Sequence, residues 1–168
     1  MTTKLLSVLA AVFLLAACAS DSSTGSSATG SGGGANGGSG SAGSAAPGSY
    51  EDLVANVGDR VFFGYDSYAL SADARKTLEK QAAWLARFPA VKITVEGHCD
   101  ERGTREYNLA LGERRANAVK DYLVALGVNA GRVTTISYGK EQPVAFGSTE
   151  AAWTQNRRGV TTLSGAGS

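Results

Sequence analysis

Residues 19–49 hold ten Gly, ten Ser and six Ala among thirty-one positions, and the other five are Asp, Asn, Pro and two Thr. Such a stretch has no apolar surface to offset the entropy of ordering its backbone, so it cannot join a core. It predicts a flexible linker with a root-mean-square span of roughly 30 Å and a full reach of about 100 Å. Beyond it lie about 120 residues, enough for one domain with a real core.

Ahead of the linker, Lys4 precedes an apolar run from Leu5 to Ala17. That run is too short to span a bilayer and reads as a signal peptide over residues 1–17. Leu15-Ala16-Ala17-Cys18 resembles a bacterial lipobox. The resemblance implies cleavage before Cys18, a diacylglycerol on its sulfur and a further acyl chain on the new N-terminus. Three chains bury far more apolar surface than the single chain that binds only marginally. Ala19, not Asp, follows the cysteine, which by enterobacterial sorting rules favours the outer membrane. The division is then signal peptide 1–17, lipidated N-terminus and linker 18–49, folded domain 50–163 and flexible tail 164–168. Lys4 is the only charged side chain before Cys18, so the remainder carries 15 basic and 15 acidic residues. That balance excludes the basic field a nucleic-acid partner needs.

The domain opens on residues 50–57, read as an irregular lead, then a strand at 60–63 and a turn at Phe63-Gly64-Tyr65-Asp66. Ser71 is an N-cap candidate with Asp73 in the first turn. Ala74, Leu78, Ala82 and Leu85 recur at helical spacing until Phe88-Pro89 stops the helix. Val91, Ile93 and Val95 alternate with Lys92, Thr94 and Glu96, the pattern of a half-buried strand. Thr104 is the cap candidate of a second helix ended by Gly127, with Val119, Leu123 and Leu126 as its core stripe. Residues 132–138 read as a strand, Ser148 or Thr149 caps a short helix to Asn156, and 160–163 read as a last strand. The expected fold is α+β: a small two-layer sandwich, a mixed sheet of about four strands with helices on one face.

Asp100 falls in the loop before the second helix, and Arg115 about three turns into it. Asn108, Leu111 and Arg115 are spaced i, i+3, i+7, and at 100° per residue the first and last differ by about 20° around the axis. All three share one face. The planar fork of an arginine suits a carboxylate, and an aspartate offers acceptors to an ammonium. Together they match the head of an α-amino acid, and backbone N–H groups near Gly103 and the helix N-terminus could add donors. Spacing leaves a second outcome open: the two charges could simply pair with each other.

Phe63-Gly64-Tyr65-Asp66, Val95-Glu96-Gly97-His98, Asp100-Glu101-Arg102-Gly103-Thr104, Glu106-Tyr107-Asn108, the run from Leu111 to Val119, Ser137-Tyr138-Gly139-Lys140-Glu141 and Asn156-Arg157-Arg158 resemble the peptidoglycan-associated lipoprotein family. The folded part of that family is an OmpA C-terminal-like domain. The resemblance implies non-covalent binding of the meso-diaminopimelate of the peptidoglycan stem peptide, whose free end is an α-amino acid. It assigns the ammonium to Asp100 and the carboxylate to Arg115. It places Tyr65 and Asp66 at the rim, gives Arg102 and Asn108 to peptide contact or loop support, and lines the apolar wall with Leu111. Lys140, Arg157 and Arg158 are weaker candidates, read as structural or partner contacts. It further implies TolB and other Tol proteins as partners, a lipid-anchored outer-membrane location with the domain facing the periplasm, and a role in envelope constriction during cell division. Cys99 departs from the Ala or Thr of many members. The strand alternation puts it on the apolar side, as a buried thiol, and it is not read as paired with Cys18.

His98, Cys99, Asp100 and Glu101 invite a metal or cysteine-nucleophile reading. Adjacent strand residues point to opposite faces and the chain has one His, so neither is expected, and His98 is read as hydrogen-bonding beside Glu96. A cell-wall hydrolase, the enzyme alternative, needs two carboxylates across a bond or a metal centre. Asp100, Glu101 and Glu106 crowd one segment, and Arg115 would keep Asp100 ionised. A binder without cofactor or catalytic residue is the expectation.

Overall fold

The computed structural model describes residues 45–165. The expected signal peptide, the expected lipidation site Cys18 and most of the linker lie outside the described residues, as do residues 166–168. The elements run α1 (Tyr50–Asn56), β1 (Arg60–Phe62), α2 (Ala72–Arg87), β2 (Ile93–His98), α3 (Arg105–Ala125), a 3-10 turn (Ala130–Arg132), β3 (Val133–Gly139), α4 (Glu150–Asn156) and β4 (Arg158–Leu163). The four strands form one sheet in the order β1-β4-β2-β3. β4 is antiparallel to both its neighbours, and β2 and β3 are parallel across the α3 crossover. This is the expected α+β arrangement with a mixed sheet.

Local chemistry explains the helix starts. The side chains of Ser71, Thr104 and Thr149 accept from the N–H groups of Ala74, Tyr107 and Ala152, each satisfying one orphan donor of the first turn. Residues 50–56, read from sequence as an irregular lead, are a helix instead. Ser49 caps it, and Asp52 ties it down by accepting from the Gly48 N–H at 2.8 Å and from Trp84 Nε1–H at 2.9 Å. A helix this short is sustained by such tertiary contacts and by burial of Leu53, which its own propensity does not reveal.

α2 and α3 pack on one face of the sheet. Leu78 and Leu85 of α2, Ile93 and Val95 of β2, and Ala116, Val119 and Leu123 of α3 form its core with Leu53, and each large apolar side chain contributes roughly 1.5–3 kcal/mol of burial. Leu126 does not join the stripe expected of it and stays 40% exposed. α3 ends at Ala125, and Gly127 then takes φ +96°, which turns the chain away. After β4 the Ser164 N–H donates to the Lys92 carbonyl at 2.8 Å.

One close approach sets the site. A Cβ on Gly97 of β2 would lie 1.8 Å from the Gly112 carbonyl oxygen of α3, and one on Gly112 would lie 2.3 Å from Ser137 Oγ. Backbone touches backbone here, which only glycine permits. The contact fixes the height of α3 over the end of β2.

Candidate functional site

β2 delivers a polar loop at its C-terminal end, and Gly103 turns that loop into α3 with φ +90°. The loop is held from two sides. Asn108 Nδ2–H donates to the carbonyls of Arg102 (2.8 Å) and Thr104 (3.0 Å). Lys140, just past β3, donates its ammonium to those of Glu101 (3.2 Å) and Gly103 (2.7 Å). The loop after β1 faces it. There Asp66 sits in the left-handed region at φ 47°, uncommon for a residue other than Gly, Asn or Asp, and Tyr107 Oη–H donates to its Oδ1.

A cavity of about 240 Å³ opens between these loops and α3. Tyr65, Asp66, Asp100, Arg102, Asn108, Leu111 and Arg115, the residues singled out from sequence, all stand on its wall, joined by Cys99, Gly103 and Tyr107. The helical face reckoned from i, i+3, i+7 is thus the face that looks into the cavity.

Arg115 is 1% exposed. Its Nε–H donates to the Ser67 carbonyl (2.8 Å), Nη1–H to His98 (2.8 Å) and Nη2–H to Gly64 (3.0 Å), and its Cζ lies 5.2 Å from the centre of the Phe63 ring. A guanidinium has five N–H donors, so two remain. Among the described residues no carboxylate lies within ion-pair distance of it. Burial pulls its pKa below the usual value, with Cys99 and Asp100 pushing the other way. Arg115 is therefore a buried cation without a local counter-ion.

Asp100 is not paired with Arg115, so the simple ion pair left open above does not form. Its oxygens accept from Arg102 Nη2–H at 2.6 Å, Nε–H at 3.2 Å and the Arg102 backbone N–H at 3.1 Å, and from Arg157 Nη1–H at 3.3 Å. Burial alone would raise its pKa, but the hydrogen bonds from Arg102 and then Arg157 outweigh it and hold the carboxyl below the usual range. Arg157, set aside from sequence as a weaker candidate, is thus a buttress of the site. It also donates to the Phe63 carbonyl and to Glu150. Arg158 points elsewhere, to the carbonyls of Asn156 and Gln142. Two aromatic groups escaped the sequence reading as well. Tyr107 borders the cavity, and Trp153 covers one side of Arg102 at 4.0 Å while Tyr65 covers the other at 4.1 Å. Tyr107 carries a local signal, since it lies in the first turn of α3 beside Asn108; Trp153 carries none.

Cys99 is buried, as the alternation implies, and its thiol donates to the Asn108 carbonyl at 3.4 Å. Burial pushes that thiol up in pKa. His98 departs from expectation. Its Nε2 lies 3.6 Å from Glu96 Oε2, too far for a hydrogen bond, and among the described residues neither ring nitrogen has a partner. The ring instead stacks on Tyr138 at 5.4 Å. Burial and then the Arg158 charge pull His98 down to about 4, so it stays neutral near pH 7.

A family model described as the OmpA family matches residues 62–157. The chain is 62% identical over 122 residues to a peptidoglycan-associated lipoprotein of Rhizobium meliloti (strain 1021), covering 73% of this chain and 69% of the relative. With the peptidoglycan-associated lipoprotein of Pasteurella multocida (strain Pm70) the identity is 44% over 161 residues, 94% and 95% of the two chains. The crystal structure of the peptidoglycan-associated lipoprotein from Burkholderia pseudomallei matches with a TM-score of 0.62 at 43% identity, covering 63% of this chain and 90% of that one. The C-terminal domain of Helicobacter pylori MotB matches with a TM-score of 0.59 at 27% identity, covering 63% and 84%. None of these names denotes a catalytic activity.

Proposed function

This chain belongs to the OmpA family, and from that premise we propose that its domain binds peptidoglycan non-covalently, by the free amino-acid end of meso-diaminopimelate in the stem peptide. Arg115 carries the reading: a buried guanidinium on a cavity wall, two of its five N–H groups without a hydrogen bond and no carboxylate within ion-pair distance among the described residues. A buried charge left uncompensated is costly, and a ligand carboxylate removes that deficit with two parallel charge-assisted bonds. Asp100 and Asp66, on the same cavity, supply the negative side for the ammonium. Leu111 gives the methylene chain an apolar wall, and Tyr65, Arg102 and Asn108 frame the mouth. Asp100, held ionised by arginines, is poorly suited to donate a proton, which disfavours a hydrolase.

The wider role we assign follows from the same reading. Cys18 carries the lipid that anchors the chain in the outer membrane, the linker spans to the wall, and the domain grips it from the periplasmic side. With TolB and other Tol proteins as partners, the grip supports envelope constriction during cell division. The names of the relatives support the association with peptidoglycan.

Calorimetric titration with a diaminopimelate-containing stem peptide, against the same peptide carrying lysine, tests the site. Lysine lacks the second carboxylate, so Arg115 has no partner and binding should vanish. Equal binding of the two peptides, or none of either, refutes the assignment.

A further inference from the structure

We infer that Arg102 is an internal stand-in for the ligand's ammonium: its guanidinium occupies the place on Asp100 that the ammonium takes, and it swings out when the zwitterion binds. The inference rests on the reading of the cavity as a receptor for an amino-acid end.

The observation behind it is a saturated acceptor. A carboxylate offers about four lone-pair sites, and the two oxygens of Asp100 already accept four donors, three of them from Arg102 and one from Arg157. An incoming ammonium finds no free acceptor there unless a donor leaves. Arg157 is buried and tied down by the Phe63 carbonyl, Glu150 and Thr154, so it stays. The Arg102 side chain is 29% exposed, and among the described residues its guanidinium hydrogen-bonds to Asp100 alone. It lies between the rings of Tyr65 and Trp153, and Tyr65 is itself 64% exposed, which gives the leaving group an aromatic surface leading outward. The Arg102 carbonyl is pinned separately by Asn108 Nδ2, so the side chain can move while the loop keeps its shape. One cation leaves as one enters, and the charge beside Asp100 is conserved.

Arg102 is then a specificity-determining residue. A ligand with a carboxylate but no ammonium engages Arg115 and leaves Arg102 in place. A zwitterion must displace it to bond Asp100, so Arg102 sets how much that contact adds to affinity. The folded protein and its Arg102→Gln variant, titrated calorimetrically with meso-diaminopimelate and with pimelate, test this. The variant should bind meso-diaminopimelate more tightly than the wild type does, and the ratio of its meso-diaminopimelate affinity to its pimelate affinity should rise about tenfold. In the wild type, meso-diaminopimelate should change Trp153 emission as the guanidinium leaves its ring; pimelate should not, and Arg102→Gln should show no such change. Trp153→Phe removes the signal and reports the Trp84 background. Weaker binding of meso-diaminopimelate by Arg102→Gln would make Arg102 a direct ligand contact and overturn the inference, as would unchanged Trp153 emission at saturation. Both of those outcomes leave the receptor reading standing, whereas absence of wild-type binding to meso-diaminopimelate removes both.

Discussion

Replacing Arg115 by Ala should damage folding as well as binding, and the size of the folding loss can be worked from its bonds. The guanidinium donates to three carbonyls, Gly64 and Ser67 in the loop after β1 and His98 at the end of β2. Hydrogen bonds from a charged donor contribute about 1.5–3 kcal/mol each, so their joint loss amounts to about 5–9 kcal/mol. Removing a buried charge that lacks a counter-ion gives several kcal/mol back, and water entering from the cavity satisfies part of the carbonyls. A net loss of about 2–4 kcal/mol remains, survivable for a domain with 5–15 kcal/mol of stability. Urea unfolding followed by circular dichroism measures it. Arg115→Lys keeps the charge but concentrates its donors at one point, so it should recover part of the stability and none of the bidentate grip. An Arg115→Ala midpoint equal to that of the wild type, at equal m-value, would refute the idea that this side chain staples the loop to the helix.

Two further outcomes are expected. His98 has a folded-state pKa of about 4 against an ordinary 6.5, so on acidification the unfolded chain takes up the proton first. Stability should be undiminished above about pH 6.5, decline by up to about 3 kcal/mol between there and pH 4, and draw no further loss from this group below; His98→Phe should flatten that interval relative to the wild type, and identical slopes would show that His98 is not the cause. Gly112→Ala places a Cβ 2.3 Å from Ser137 Oγ and 2.8 Å from the Gly97 carbonyl oxygen, so it should lose more than about 2 kcal/mol through separation of α3 from β2; a melting temperature equal to wild type would mean that the contact can relax freely.

What the sequence could show, and what it could not, divides by reach along the chain. The caps at Ser71, Thr104 and Thr149 act over three residues and were legible. So was the cavity-facing row of Asn108, Leu111 and Arg115, because helical periodicity alone places them on one face. The true partner of Asp100 was not. Arg115 stood out as the opposite charge across the fold, yet Arg102, two residues on, takes the carboxylate with Arg157, which is 57 positions away. The carbonyls that Arg115 binds at Gly64 and Ser67 lie 51 and 48 positions from it. Backbone acceptors leave no mark in a sequence, so an arginine that reads as a ligand group turned out to hold two loops as well. α1 was missed for the same reason: its decisive bond joins Asp52 to Trp84 across 32 positions.

That double duty makes the site intelligible as a device. Three of the five donors of Arg115 are spent on fixing the loops that form the cavity, which holds the guanidinium in place on the cavity wall. The guanidinium is therefore fixed in advance, and little of its ordering entropy would be lost on the proposed binding. The fold also leaves a buried positive charge with no ion-pair partner among the described residues, a deficit that the proposed ligand carboxylate would remove. On the other side the fold does the reverse: Asp100 already accepts four donors, so in the proposed exchange the ammonium would gain at Asp100 only the difference between its own bonds and those of Arg102. In the proposed binding mode the two halves of a zwitterion would be received unequally, the carboxylate by an unfilled demand and the ammonium by exchange. A binder built this way would recognise both charges yet draw most of its affinity from one, which would keep the grip specific without making it irreversible.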